Sequence, residues 1–155
     1  MNPAILRKAS ADDAVAIAEL AIQLGYPVTA SEIAKRLSKL PEDTEAVVVA
    51  TIAGEVRAWM QVGVALSIES EPFVEIRGLV VDAGLRASGL GSQMVEFAKS
   101  WAQAKHVSSL RVRSNVVRTA THAFYEKRGF TLSKEQKVFA LALSPADQRR
   151  AVSTN

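Results

Sequence analysis

The chain contains no cysteine. That excludes disulfides, thiolate metal sites, iron–sulfur clusters and a cysteine nucleophile. Histidine is almost as scarce. Only His106 and His122 occur, neither with a metal-ligating partner at recognisable spacing, so no metal is expected. No stretch approaches the ~20 apolar residues of a membrane span. The opening segment MNPAILRKASADDAVAIAEL holds charges and an acidic pair where a secretory signal needs an apolar run, so the expected location is cytoplasmic and no membrane partner is expected. Basic runs interleaved with aromatics are missing as well. Lys and Arg total 19 against 16 Asp and Glu, and a surplus of +3 is too mild to point to nucleic acid. A dense acidic cluster is also absent, which speaks against a polycationic acceptor such as an aminoglycoside or a polyamine. Carboxylates, hydroxyls, tyrosine, backbone groups and a borrowed cofactor are what remain for chemistry.

At 155 residues the chain has the length of one ordinary domain, expected over 1–144 with a polar tail at 145–155. AILRK (4–8) reads as a strand. Ser10 stands before Asp12 and Asp13, which is N-cap chemistry followed by acid in a first turn. Val15, Ile17, Ala18, Leu20, Ala21 and Leu24 then form a helix-period stripe ending near Gly25. Thr29 or Ser31 caps a second helix with Ile33, Leu37 and Leu40, stopped by Pro41. Strands follow at 46–51, 55–66 and 73–82, separated by the Ala53-Gly54 turn and a break at Ser70–Pro72. Met94, Val95, Ala98, Trp101 and Ala102 mark a helix to about Lys105. A strand at 108–114, a helix at 119–127 broken at Gly129, and final strands near 130–132 and at KVFALAL (137–143) complete a mixed α/β order. The β–α–β portion over 76–113 predicts a right-handed crossover between parallel strands. His106 reads as a helix C-terminal cap or surface residue, His122 as a surface or ligand-adjacent one.

The most informative segment is Leu79-Val80-Val81-Asp82-Ala83-Gly84-Leu85-Arg86-Ala87-Ser88-Gly89-Leu90-Gly91-Ser92. A strand runs into a glycine loop that opens a helix. Helix N-termini present N–H groups and the positive end of the dipole, and glycine lets them approach an anion, so the segment reads as a phosphate cradle. It is not a nucleotide triphosphate loop: Leu90 and Gly91 stand where Lys and Ser/Thr are needed. Nor is it a dinucleotide fingerprint, because Met94 follows where a third glycine belongs.

Arg86-x-x-Gly89-x-Gly91 resembles the acetyl-CoA signature of the GNAT superfamily of N-acetyltransferases. The strand end Gly78-Leu79-Val80-Val81-Asp82 and the later block Asn115…Ala123-Phe124-Tyr125-Glu126-Lys127-Arg128-Gly129-Phe130 are similar to that family too. The element order matches over roughly 4–143, the specific motifs over 75–92 and 115–130.

The resemblance implies a central mixed, mostly antiparallel sheet flanked by helices, with a splayed parallel strand pair. It implies acetyl transfer from acetyl-CoA to a primary amine of a small molecule or peptide, directly within a ternary complex. A non-catalytic acyl-CoA-binding or regulatory module on the same fold is the alternative. Pantetheine would pair with the backbone of Leu79, Val80 and Val81. The N–H groups of Arg86, Ala87, Ser88, Gly89, Leu90 and Gly91, with Ser92, would hold the pyrophosphate. Asn115 would bind the pantetheine half of CoA or serve as a strand-end turn former. Tyr125 would contact the sulfur and act as general acid, since a phenol is protonated at neutral pH, or it is a half-buried aromatic. Glu75 would be the base or, if no bulge intervenes, a structural partner of Arg77 on the same strand face. A backbone N–H at Leu79 or Val80 would polarise the thioester carbonyl. Acceptor specificity would lie in Leu24–Val28, Trp59, Gln61 and Glu75. KVFALAL could offer an edge for a homodimer.

Overall fold

The structure is a computed structural model and describes residues 2–146. The chain divides into two compact units, residues 1–114 and 115–155. The tail expected beyond Ala146 lies outside the described residues.

The first unit is built on a five-stranded sheet in the order β1-β2-β3-β4-β5: β1 (Ile5–Lys8), β2 (Glu45–Ile52), β3 (Glu55–Ser67), β4 (Ser70–Val81) and β5 (Leu110–Val112). β1 to β4 are antiparallel neighbours, and β4 and β5 are parallel. The parallel pair needs a crossover, which α3 (Leu90–Ala104) provides. α1 (Ala14–Gln23) and α2 (Ala30–Lys39) lie between β1 and β2 in the chain.

Alternation divides the sheet residues between two faces. Val47 and Val49 pack with Ile17 of α1, joined by Ile33, Leu37, Leu40, Val56 and Trp59. Val48 and Ala50 point the other way, and α3 buries Leu90, Met94, Val95 and Ala98. α1 buries Ala14, Ile17, Ala18 and Ala21, the i, i+3, i+4, i+7 set, whereas Val15 of the expected stripe is solvent-facing because it falls off that row.

The start of α2 settles on Thr29. Its hydroxyl accepts from Glu32 N–H at 3.2 Å, and the Glu32 carboxylate accepts from Thr29 N–H at 3.0 Å. That reciprocal pair needs Thr-x-x-Glu spacing. At the other cap, Asp13 accepts from Ser10 N–H and takes both guanidinium nitrogens of Arg7, each at 2.8 Å. Asp13 is buried, and the Arg7 hydrogen bonds hold its carboxyl below the ordinary aspartate range.

Three sequence expectations need correction. The break placed at Ser70–Pro72 is strand: the chain turns at Ile68-Glu69, and Ser70 already faces Ser67. Proline is tolerated there because the register is irregular between Ala65 and Ser67 and because β5 pairs with β4 only from Val74 onward. The strand expected at 108–114 shrinks to Leu110–Val112. The strands expected at 130–132 and 137–143 do not form.

That last difference belongs to the second unit, whose regular element is α4 (Thr119–Lys127). Gly129, at φ +91°, ends the helix: Gly129 N–H donates to Glu126 O and Phe130 N–H to Tyr125 O. Residues 130–144 then run without helix or strand. Val138, Phe139, Leu141 and Leu143 are all more than half exposed. An apolar, β-prone composition makes a strand only with a ladder partner, and this unit has no strand among its described residues to supply one.

Candidate active site

β4 organises the first unit's part of the site. Gln61 of β3 faces Gly78, and the next residue, Val62, faces Ile76, so Arg77 is an extra residue bulged out of the ladder. Pairing with β5 stops at this point, at Ile76 opposite Val112. β4 nevertheless continues to Val81, still paired with β3 on its other edge. Leu79, Val80 and Val81 therefore carry one backbone edge with no strand beside it among the described residues. Gly78 has its own reason: a Cβ there would approach the Trp59 ring at 3.0 Å.

The loop after β4 is pinned from three sides. Asp82 accepts from Arg57 Nε at 2.8 Å and from Gly84 N–H at 3.1 Å, and Gln23 of α1 accepts from Ala83 N–H at 2.9 Å. These contacts hold the Asp82 carboxyl below its usual range, the Gly84 N–H being the largest cause. Beyond the anchor, Ala87 (φ +68°) and Gly89 (φ +91°) both take left-handed backbone. Ser88 Oγ accepts from Leu90 N–H at 3.4 Å, and Gln93 N–H makes the first helical bond, to Gly89 O. The N–H groups of the preceding turn thus point along the helix axis, with the positive end of the α3 dipole behind them. Arg86 is exposed and has no ion pair among the described residues. The stretch 86–92, singled out from sequence, is a turn through Gly89 that runs into the first turn of α3, with Ser88 N–H already donating to Leu85 O.

On the face that carries Val47 and Trp59, the sheet becomes polar toward β5. Glu45, Gly63, Glu75 and Arg111 occupy successive positions across β2, β3, β4 and β5. The Glu45 carboxylate lies over Gly63, where a Cβ would collide with it. It accepts from Arg77 Nε (3.1 Å) and Nη2 (2.8 Å) and from Gln61 Nε2 (3.2 Å). Glu75 is buried. It accepts from Arg113 Nη2 at 3.1 Å, while Arg77 Nη1 stands at 3.7 Å. The bulge thus gives Arg77 to Glu45, and the main partner of Glu75 is Arg113, which the sequence reading missed. Its position in Arg-Val-Arg, alternating with Arg111 on a strand next to Glu75's, was the available signal.

Of the expected acceptor-side residues, Tyr26 lines an open hollow of about 520 Å³ with Ile22, Gly25, Pro27, Val28 and Thr29. Trp59 is not among them. It packs on the Ile17–Val47–Val49 core, and its Nε1 is buried without a hydrogen-bond partner among the described residues.

In the second unit, Asn115 shapes a turn. Its Oδ1 accepts from Val117 N–H at 3.1 Å, and its backbone oxygen accepts from Arg118 N–H and lies 2.9 Å from His122 Nε2. Tyr125 sits edge-on between Phe124 (5.0 Å) and Phe130 (5.3 Å). Burial pushes its phenol up to about 12, against the opposing pull of Arg118 and Arg128. Arg128 stacks on Phe124 at 3.6 Å and donates to Phe124 O.

A family model described as the acetyltransferase (GNAT) family matches residues 17–130. The chain belongs to the GNAT acetyltransferase family. Solved structures agree on the fold. A protein described as a transcriptional regulator from Bacillus halodurans aligns with TM-score 0.78 at 21% identity, covering 90% of this chain and 100% of that one. Glucosamine-6-phosphate N-acetyltransferase from Arabidopsis thaliana gives 0.76 at 23%, over 90% and 99%. An aminoglycoside N-acetyltransferase in complex with CoA gives 0.80 at 15%, over 92% and 97%. A comparison with curated protein sequences finds no match. The GNAT fold accounts for the mixed sheet and its single parallel pair. Among the described residues, no group of three or more His, Asp or Glu could hold a metal ion, and no helix is long and apolar enough to cross a membrane.

Proposed function

We propose that this GNAT-family chain is an acetyl-CoA-dependent N-acetyltransferase, acting on a primary amine of a small molecule or peptide by direct transfer. The observation that carries the proposal is the departure of β4 from β5 at the Arg77 bulge. It leaves the backbone of Leu79–Val81 with an open hydrogen-bonding edge, directly before the turn that runs into α3. Pantetheine is a linear chain with two amides, which a strand edge matches, and its diphosphate suits the turn at 86–92. The residues present therefore fit the group, which when bound supplies the activated acetyl.

Glu75 is the carboxylate in this reading that receives the acceptor amine. Tyr125 meets the departing sulfur. With burial raising the phenol toward about 12, Tyr125 is protonated at neutral pH and can act as general acid to the leaving thiolate. It gives a hydrogen bond that stabilises the developing charge. Tyr125→Phe should therefore lower kcat by about a hundredfold with acetyl-CoA affinity nearly unchanged. An unaltered rate would remove the role. A cytoplasmic homodimer that uses residues 137–143 belongs to the same reading, and light scattering that gives a monomer ends that part.

Calorimetric titration with CoA and acetyl-CoA tests the cosubstrate directly, and no binding at millimolar ligand refutes it. Thiol release across a panel of amines and peptides tests turnover. CoA binding without release on any acceptor points instead to a non-catalytic acyl-CoA module.

A further inference from the structure

Glu75 poses a problem of compensation. Its side chain is only 9% exposed, and a buried carboxylate needs a cation or several donors. Three guanidiniums belong to its neighbourhood. Arg111, opposite Glu75 on β5, lies 3.8 Å over the Phe73 ring. Arg77 is committed to Glu45 by three N–H···O contacts of 2.8 to 3.1 Å and reaches Glu75 with Nη1 alone, at 3.7 Å, beyond a hydrogen bond. Among the described residues, Arg113 makes the one side-chain hydrogen bond to Glu75, at 3.1 Å. Yet the Arg113 side chain is 72% exposed. Of the two guanidiniums ion-paired with Glu75, the hydrogen-bonded one is thus a solvated arm touching a buried anion through a single nitrogen.

We infer that Arg113 is a stand-in cation, which the ammonium group of the acceptor displaces from Glu75. The inference rests on the acetyltransferase reading and narrows its substrate class to amines that arrive protonated. The exchange conserves charge. The Arg113 Nη2–H···Oε2 bond breaks, a substrate N–H···Oε2 bond forms, and the released guanidinium is already largely in water. Arg77 does not fill the vacancy, because leaving Glu45 would strand a second carboxylate that is itself 12% exposed. Arg113 thereby sets an affinity threshold: a neutral group cannot replace it without leaving Glu75 only the Arg77 ion pair at 3.7 Å.

The test uses butylammonium chloride as probe, at constant ionic strength, on the full chain without acetyl-CoA. Arg113→Ala should bind butylammonium roughly fivefold more tightly than the parent, the worth of a partly exposed ion pair. Glu75→Gln should abolish binding in either background. In the parent chain the Arg113 Nε–H resonance should shift on titration. Unchanged or weaker binding in Arg113→Ala overturns the inference, and weaker binding would mark Arg113 as a contact to an anionic part of the acceptor. Binding that survives Glu75→Gln overturns it as well. Should Glu75→Gln fail to fold, an unmoved Arg113 resonance in the parent is decisive against it. Acetyl-CoA calorimetry and thiol release on the same proteins report separately on the acetyltransferase reading, so the two can fail independently.

Discussion

Glu45, half-buried, and Glu75, buried, are two carboxylates in one row across the same face of the sheet, and they are held in opposite ways. Glu45 is locked: Arg77 takes it through Nε and Nη2, Gln61 adds a third donor, and Gly63 leaves the room its carboxylate fills. Among the described residues, Glu75 has one side-chain hydrogen bond, from an arginine that is mostly in water. Burial alone therefore does not tell a structural carboxylate from an available one. The number of donors, and how deeply those donors are themselves fixed, separates them. The bulge at Arg77 creates the difference by turning the nearest guanidinium toward Glu45 while it releases β4 from β5.

The largest expected effect breaks the locked member. Glu45→Ala leaves Arg77 without its partner and opens a void over Gly63, and should lower unfolding free energy by about 3 kcal/mol in urea titration. A change below 1 kcal/mol would show that the lock is only apparent. The Arg7–Asp13 pair extends the comparison to another buried carboxylate, also taken by two guanidinium nitrogens. Its folded-state pKa is depressed, chiefly by those hydrogen bonds. Its stabilisation is thus fully present above the unfolded value of ~3.9 and is lost as pH falls through the lower folded value. With Arg7 partly exposed, Asp13→Asn should cost about 1–2 kcal/mol near neutrality and flatten the melting temperature between pH 5 and 2. An acid limb as steep as the parent's would assign it to other carboxylates. Gly63→Ala acts on the lock from the other side. Its Cβ drives the Glu45 carboxylate from its seat, at about 1 kcal/mol.

What the sequence disclosed followed from local rules. The helix starts were written in Thr29-x-x-Glu32 and in Ser10 before Asp12 and Asp13, the helix stop in Gly129, the left-handed turn into α3 in Gly89. Tyr125 was found by its block, and its burial between two phenylalanines adds why the phenol keeps its proton. The unread parts depend on register. Nothing local announces that Arg77 is bulged out, so its hydrogen bonds to Glu45, thirty-two residues earlier, were invisible; its expected pairing with Glu75 is present only as a 3.7 Å ion pair. Strand composition at 137–143 was read correctly as apolar and β-prone, but a strand also needs a ladder partner, which composition does not specify. Gln23 holding Ala83, sixty residues away, is the same kind of contact.

The smallest expected stability effect belongs to the loosely held member and inverts the comparison. Glu75→Gln keeps the side-chain volume and leaves an oxygen to accept from Arg113, while it removes a charge compensated by one hydrogen bond from an exposed guanidinium and a longer ion pair to Arg77. A buried charge that is weakly paired adds little to folding, so the substitution should move the unfolding free energy by less than about 1 kcal/mol in either direction. The same substitution removes the buried carboxylate of this strand that would receive an ammonium, so amine-dependent thiol release should fall by about a hundredfold, with acetyl-CoA affinity unchanged. Glu45→Ala should lose far more stability than Glu75→Gln. A Glu75→Gln protein as destabilised as Glu45→Ala would make both carboxylates structural and leave the amine without its acceptor group.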